Sequence, residues 1–412
     1  MPQELNATAR WLTLSAAFLG WMLDGVEQAI FPLIARPALQ QMLAVRGDRE
    51  VGAWMGYLTA FFLIGAAAGG VVFGWLGDKI GRVRAMAFSI LVYSVFTGVC
   101  YFAHAPWQLA VFRVIAALGM GGQWSLGVAL VMETWPERHR PMLAGAIGAS
   151  ANAGYLLIGW IAYCFPVTGN SWRWLMLVGA APAILTFLIR LYVPESPRWE
   201  EAVAAAEGHS HPLREVFRYP ALRHTALAVT LASVVLIGTW GSVQWIPLWA
   251  DKLTNGADPA AKAVTTMLLA VGAIIGCFIG ALCGKLGRRP AYCGLCLASY
   301  ALCWALFHGV TTYGLSFKVL AFLVGAMTAS FYGWLPLYLP ELFPTRIRAT
   351  AQGISYNFGR ILAAVGAIGA GQLVGYYSGS YARMGLTITL VYLIGALVIW
   401  AAPETRGKPL PA

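Results

Sequence analysis

Charge is scarce in this sequence, and acidic charge is scarcest. Asp and Glu number 17 in 412 residues, Lys and Arg 28, and charged residues make up 11% of the chain against 59% hydrophobic. Too little polar surface is available to clothe a soluble globule, so a set of water-soluble domains is excluded. Cysteine is sparse as well. Cys100, Cys164, Cys277, Cys283, Cys293, Cys296 and Cys303 all fall in or at the ends of apolar stretches, so no disulfide framework is expected. Cys293 and Cys296 form a CxxC, but no second Cys or His pair stands near to complete a zinc site, and they read as small packing residues. No His lies in the middle of an apolar stretch. Neither a metal-ligand cluster nor a nucleophile with a base appears at membrane depth, so neither an enzyme nor a cofactor is expected.

Long apolar runs are what the chain has in quantity. Twelve stretches of about 20 residues, each able to cross roughly 30 Å of hydrocarbon as a helix, run from end to end. They lie at 11–35, 52–76, 84–103, 107–132, 142–164, 173–192, 223–250, 262–285, 290–309, 315–340, 349–376 and 384–402. The net charge of +11 is distributed by side and does not form a nucleic-acid patch. With the N-terminus inside, 18 of the 28 Lys and Arg fall on the cytoplasmic side, 8 outside and 2 within the membrane. The positive-inside rule thus places both termini in the cytoplasm. The first stretch is long and lacks a small-residue cleavage site, so it reads as a span and not as a cleavable signal.

The sequence repeats itself. Glu133-Thr-Trp-Pro136-Glu-Arg138-His-Arg140 returns 208 residues later as Glu341-Leu-Phe-Pro344-Thr-Arg346-Ile-Arg348. Pro194-Glu195-Ser-Pro-Arg198 similarly matches Pro403-Glu404-Thr-Arg406, and Gly81-Arg82 matches Gly287-Arg288. Two copies in so apolar a chain point to a secondary transporter with its path between pseudo-symmetric halves. The expectation is an all-α membrane protein: residues 1–192 form one six-helix bundle, 193–222 a cytoplasmic linker, and 223–412 the second bundle. Within the linker, Trp199 to Glu207 is rich in Ala and Glu and reads as a short surface helix, while Arg198, Arg214, Arg218 and Arg223 suit anionic lipid. Gly65, Gly69, Gly70 and Gly74 in the second span, and Gly272, Gly276, Gly280 and Gly284 in the eighth, give small faces for close helix packing.

Ionisable groups inside the membrane are expensive and therefore informative. Four qualify: Asp24, Glu27, Arg113 and Arg360. Asp24 lies about 20 Å in from the cytoplasmic end of its span, and Arg113 about 21 Å above the same side. Equal depth allows an Asp24–Arg113 bridge, whether structural or functional. Glu27 follows on nearly the same helix face, and two carboxylates so close disfavour double ionisation, making either a candidate for a coupling proton. Arg360 has no acid at comparable depth in its own half, and its guanidinium fork suits a carboxylate or phosphate. Asn152, Tyr155, Trp240, Gln244, Trp245, Tyr332, Tyr356 and Asn357 supply polar and aromatic candidates for an otherwise apolar pocket.

At the cytoplasmic end, Gly74-Trp-Leu-Gly-Asp78-Lys-Ile-Gly-Arg82 presents one acid and two bases on a tight turn. Glu133 and Glu341 are natural partners for the Arg side chains there, and Asp78 alternatively faces the N-terminus of a neighbouring helix. These loop motifs, with the PESPR and PETRG helix ends, resemble the major facilitator superfamily over essentially the whole chain. Gly20-Trp-Met-Leu-Asp24-Gly25-Val-Glu27 resembles the metabolite/proton symporters, among them the aromatic-acid and sialic-acid permeases. The PESPR and PETRG ends are shared with sugar porters and organic-ion transporters. The resemblance implies alternating access by two rocking bundles, and a cytoplasmic gate in which Asp78 and Arg82 work with Glu133, and Arg288 with Glu341. Gly74, Arg140 and Arg348 complete the candidate gate residues. Related sequences commonly carry Glu where this chain has Gln123, which keeps the size but cannot ionise; Gln123 is therefore a substrate-side candidate, and coupling falls to Asp24 and Glu27.

The function expected is proton-coupled symport of a small organic anion, a carboxylate, by a monomer in a bacterial inner membrane, with protons and lipid as its other partners. A sugar or polyol porter, or an organic-cation transporter using Asp24 and Glu27, remains an alternative. Topology can be checked directly. Green fluorescent protein fused to either terminus should fluoresce, and alkaline phosphatase inserted within 36–51 should be active; the reverse pattern would overturn the orientation.

Overall fold

The computed structural model describes residues 6–44, 48–164, 172–205, 212–254, 261–378 and 380–411. Among the described residues the chain forms twelve long helical segments: α1 (Ala7–Leu43), α2 (Asp48–Ile80), α3 (Arg82–Val99), α4 (Pro106–Met120 and Gln123–Thr134), α5 (Arg140–Cys164) and α6 (Trp172–Ala180 and Ala183–Tyr192), then α7 (Ala221–Gly241), α8 (Ala261–Cys283), α9 (Arg288–Gly309), α10 (Leu315–Tyr338), α11 (Arg348–Tyr376) and α12 (Tyr381–Thr389 and Val391–Val398). Among the described residues, eleven segments are long and apolar enough to cross a membrane. Helix α1 spans 37 residues and carries Asp24, Glu27 and Gln28 in its middle. The start of α1 and the end of the described chain lie on one face, the basic face, where Trp135 donates to the Arg10 carbonyl and Arg348 to that of Pro411, with Arg82 beside them.

Local chemistry sets the helix ends. Asn6 caps α1 by accepting from the Ala9 amide at 2.8 Å. Gly81 and Gly287, at φ of 107° and 117°, make the turns into α3 and α9 that a side chain would strain. The span expected at 223–250 is not continuous. Helix α7 ends at Gly241, a 3-10 turn covers Val243–Trp245, and a short helix Ile246–Leu253 follows. Pro247 explains the break, since it lacks the amide that would continue the ladder. Likewise α4 is interrupted at Gly121 and Gly122, where a Cβ would run into Ala66 and Phe73 of α2. The linker holds two short helices, Pro197–Ala205 and Pro212–Val216; the end of the expected helix, at Glu207, lies outside the described residues.

Six helices form each bundle, and the two are built alike. Helix α2 lays Gly65 and Gly69 against the backbone of Val114 and Leu118 on α4, and α8 lays Gly272, Gly276 and Gly280 against Phe322, Ala326 and Ser330 on α10. Without a hydrophobic drive in lipid, such backbone-to-backbone contact is what binds helices together. The bundles meet along two seams. Gly70 and Gly74 of α2 abut Asn357, Ala349 and Thr350 of α11, while Gly145 and Gly148 of α5 abut Phe278 of α8 and Tyr332 of α10. These contacts run from the basic face to about mid-depth.

Gly276→Ala forces a methyl group into the Ala326 carbonyl and should destabilise by about 1–3 kcal/mol. Gly294→Ala on α9, where nothing lies within 4 Å of the new Cβ, should be neutral. Thermal unfolding of the purified protein would read both.

Candidate functional site

Two groups of buried polar side chains lie along the line between the bundles. The deeper group starts on α1. Asp24 is buried, and Gln28, one turn on, donates to its Oδ2 at 3.5 Å. Tyr155 of α5 donates its hydroxyl to Gln28 Oε1 at 3.1 Å, with Asn152 half-buried three residues earlier on the same helix. Arg360 of α11 is buried as well and makes no direct ion pair with Asp24 among the described residues, so the two opposite charges of this group stand on different bundles. Arg360 donates from Nη1 to Asn357 Oδ1 at 3.1 Å and lies 5.1 Å over the Tyr356 ring. Asn357 in turn donates to the Gly121 carbonyl of α4 at 3.2 Å. Tyr356 stacks on Trp124 with centroids 4.3 Å apart. An anion entering here meets a fixed guanidinium beside an aromatic shelf, the arrangement that Arg uses to hold carboxylates.

Glu27 turns elsewhere. Its Oε1 accepts from Thr97 of α3 at 3.2 Å and from Arg113 of α4 at 3.4 Å, and the Arg113 guanidinium lies over the rings of Phe31 and Phe62 at 4.3 and 5.0 Å. Equal depth suggested an Asp24–Arg113 bridge; the ion pair that forms is Glu27–Arg113, inside the first bundle. Three residues rotate a helix face by about 60°, enough to direct Asp24 to α5 and α11 and Glu27 to α3 and α4. Gln123 is buried against Gly20 of α1, and Tyr332 donates to Thr239 of α7 at 3.1 Å. The group expected on the seventh span separates from these. Gln244 is exposed beyond the break in α7, and Trp245 donates to the Trp240 carbonyl at 3.2 Å and packs near Tyr381 of α12. Sequence reasoning passed over Gln28, Trp124 and Thr97; the i+4 spacing from Asp24 marks the first, and nothing local marks Thr97.

The second group closes the basic face. Arg82 is fully buried; its Nη1 donates to Asp78 Oδ1 at 2.6 Å, and its Nη2 to Glu133 Oε1 at 3.1 Å and to the Thr345 carbonyl of the other bundle at 2.7 Å. Glu133 also accepts from Arg348 of α11 at 2.9 Å and from Ser196 at 2.6 Å. Asp78 faces the N-terminus of α11: Oδ2 accepts from the Thr350 amide at 2.8 Å and its hydroxyl at 2.6 Å, and Oδ1 from the Ala349 amide at 3.3 Å. Gly74 lets these strands of contact close by seating Ala349 and Thr350 against bare backbone. Arg288 and Glu341 pair at 2.7 Å within the second bundle. Arg140 departs from its repeat partner Arg348, taking Glu137 of its own bundle at 2.9 Å in place of an acid across the seam. No Asp stands where the second half would need one, because its loop has Gly284-Lys285 there.

The matched PE motifs find their partners in the matched Gly-Arg turns. Glu195 accepts from the amides of Arg82 and Val83, and Glu404 from those of Arg288 and Arg289, so each carboxylate caps the helix that follows the turn. Burial opposes ionisation of Glu404, yet the amides of Arg288, Arg289 and Arg406 outweigh it and hold the carboxyl below its ordinary range. At Glu195 burial wins over the same kind of bonds and pushes the carboxyl up.

Known proteins share this architecture. The chain is 30% identical to the "Probable 4-methylmuconolactone transporter" of Cupriavidus pinatubonensis, over 96% of this chain and 91% of that protein. It is 29% identical to the "Cis,cis-muconate transport protein" of Acinetobacter baylyi, over 93% and 92%. The solved structure of the proton:xylose symporter XylE from E. coli, 18% identical, superposes over 98% of both chains with a TM-score of 0.79. Residues 200–412 match the family model for sugar (and other) transporters. Residues 11–290 match the Major Facilitator Superfamily model, and with twelve helices in two like bundles the chain belongs to that family of transporters.

Proposed function

We propose that the protein carries a small organic anion, a carboxylate, together with protons across the bacterial inner membrane by alternating access. The observation behind this reading is Arg360, buried between Asn357 and the Tyr356 ring, with the buried Asp24 on the opposite bundle. A carboxylate that takes Arg360 leaves Asp24 without its cation in a dry site, where the neutral acid is favoured. Proton and anion then cross together. Glu27, held by Arg113, stands one turn away as the second acid of the coupling unit. The names of the two muconate-type relatives are in keeping with an organic acid. The basic face is the cytoplasmic one, and Gly74, Asp78, Arg82, Glu133, Arg140, Arg288, Glu341 and Arg348 form its gate. Closed there, the binding site opens outward. Residues 1–192 and 223–412 rock as units tied by the linker at 193–222, and the working unit is a monomer.

In proteoliposomes with an acid outer side, the native protein should accumulate its anion against a gradient. Arg360→Gln should reduce uptake at least tenfold, which corresponds to about 1.4 kcal/mol. Asp24→Asn should abolish pH-driven accumulation while leaving exchange of anion for anion. Undiminished uptake in both variants would sink the site assignment. The sugar-transporter match of residues 200–412 favours a second reading, a sugar or polyol porter. Uptake of a neutral polyol that ignores Arg360→Gln would establish that reading instead.

The gate has its own test. Asp78→Asn and Thr350→Val each remove charge-assisted bonds between the bundles, worth about 1.5–3 kcal/mol. Each should speed maleimide labelling from the basic side of a single cysteine introduced by Ile354→Cys, about tenfold or more; unchanged labelling would remove Asp78 from the gate.

A further inference from the structure

Gln352, Tyr356 and Arg360 recur at intervals of four along α11 and so share one face. The anion site uses the last two. Gln352, one turn nearer the basic face, is fully buried, and neither its amide oxygen nor its nitrogen has a hydrogen-bond partner among the described residues. The first bundle presents a matching set. Both amide atoms of buried Gln123 lack partners, as do the indole N–H groups of Trp21 and Trp124. Trp21 and Trp124 meet edge to face at 6.1 Å, Trp124 stacks on Tyr356 at 4.3 Å, and Gln123 Nε2 sits 3.4 Å from where a Cβ on Gly20 would be. Helices α1, α4 and α11 therefore bring four dry, unpaired polar side chains to one stretch of the interface, inward of Arg360.

Unpaired buried groups cost about 1–3 kcal/mol each. A cluster of them in one place calls for something that bonds to all of them. Donors predominate, since each amide supplies two N–H groups and one oxygen and each indole an N–H alone. The occupant is thus rich in acceptor oxygen. None of the four side chains is charged, so a second carboxylate would be buried there without a counter-ion. A hydroxyl or carbonyl oxygen fits. Eight residues of helix separate Gln352 from Arg360, about 12 Å, and Arg360 reaches back along the helix as far as Asn357.

We propose that Gln123, Gln352 and the indoles of Trp21 and Trp124 form a second, uncharged subsite, which makes the solute a bifunctional organic acid: a carboxylate on Arg360 and a hydroxyl or carbonyl group about six to eight atoms away. This rests on the reading of Arg360 as the anion site. Hexanoate and 6-hydroxyhexanoate, alike except for the terminal hydroxyl, serve as probes in calorimetric titration of the purified protein. The hydroxy acid should bind at least tenfold tighter to the native protein. That preference should vanish in Gln352→Leu and in Gln123→Leu, while hexanoate binding, which also reports on folding, stays within about threefold; Gln352→Asn gives a milder second variant. Equal affinities in the native protein, absence of binding by either acid, or a preference that survives both Leu variants would overturn the subsite. Arg360→Gln separates the two proposals. If it abolishes binding of both acids while the Gln variants change nothing, the anion site stands and the subsite fails. If both acids ignore Arg360→Gln, the anion site itself fails.

Discussion

Glu133 is one buried carboxylate held from both bundles at once. It is buried, and three donors converge on it: Arg82 of the first bundle, Ser196 at the start of the linker and Arg348 of the second bundle. Drawing α11 away would take Arg348 with it and leave a buried carboxylate with part of its compensation gone, which is a severe loss in a low dielectric. The charge balance of one residue is thereby tied to the closure of the whole molecule. Asp78 repeats the logic with dipoles, accepting from Arg82 on its own side and from the first turn of α11 on the other. The small face of α2 follows from this constraint, because only bare backbone at Gly70 and Gly74 lets the first turns of α11 come near enough for those bonds.

Much of this was legible in the repeat. Two copies of the same motif at a fixed offset located Glu133 and Glu341 beside Arg82 and Arg288, and those pairs form as the spacing suggests. The repeat could not say which Arg crosses the seam. Arg140 and Arg348 occupy the same motif position, yet one pairs locally and the other across the interface. Identical local sequence fixes identical local backbone; partner choice depends on what the opposite bundle presents, and only the first half presents Asp78 and a bridging Glu133.

Depth was likewise easier to read than direction. Counting residues placed Asp24, Glu27, Arg113 and Arg360 at mid-membrane, but depth alone left Asp24 and Arg113 as partners. Rotation about the helix axis decided otherwise, with Glu27 and not Asp24 meeting Arg113. The break in α7 had a visible cause in Pro247, and it separates Gln244 from the mid-depth group. Side chains such as Thr97 and Gln352 carry no local signal, since a Thr or Gln in an apolar helix reads the same whether it faces lipid, a neighbour or the path.

Helix α11 is where these threads join. Its first turn bonds Asp78, its next turns bear Gln352 and Tyr356, and Arg360 lies about 18 Å from its start. A continuous helix moves its residues together, so releasing the first turn from Asp78 also displaces the Tyr356 shelf from Trp124 and the guanidinium from Asp24. In the proposed function the reverse follows from the same rigidity: a solute that draws Arg360 toward itself would pull on the turn that closes the basic face. The proposed site and the closure of the basic face are thus borne by one continuous helix, which is the physical route by which either would act on the other.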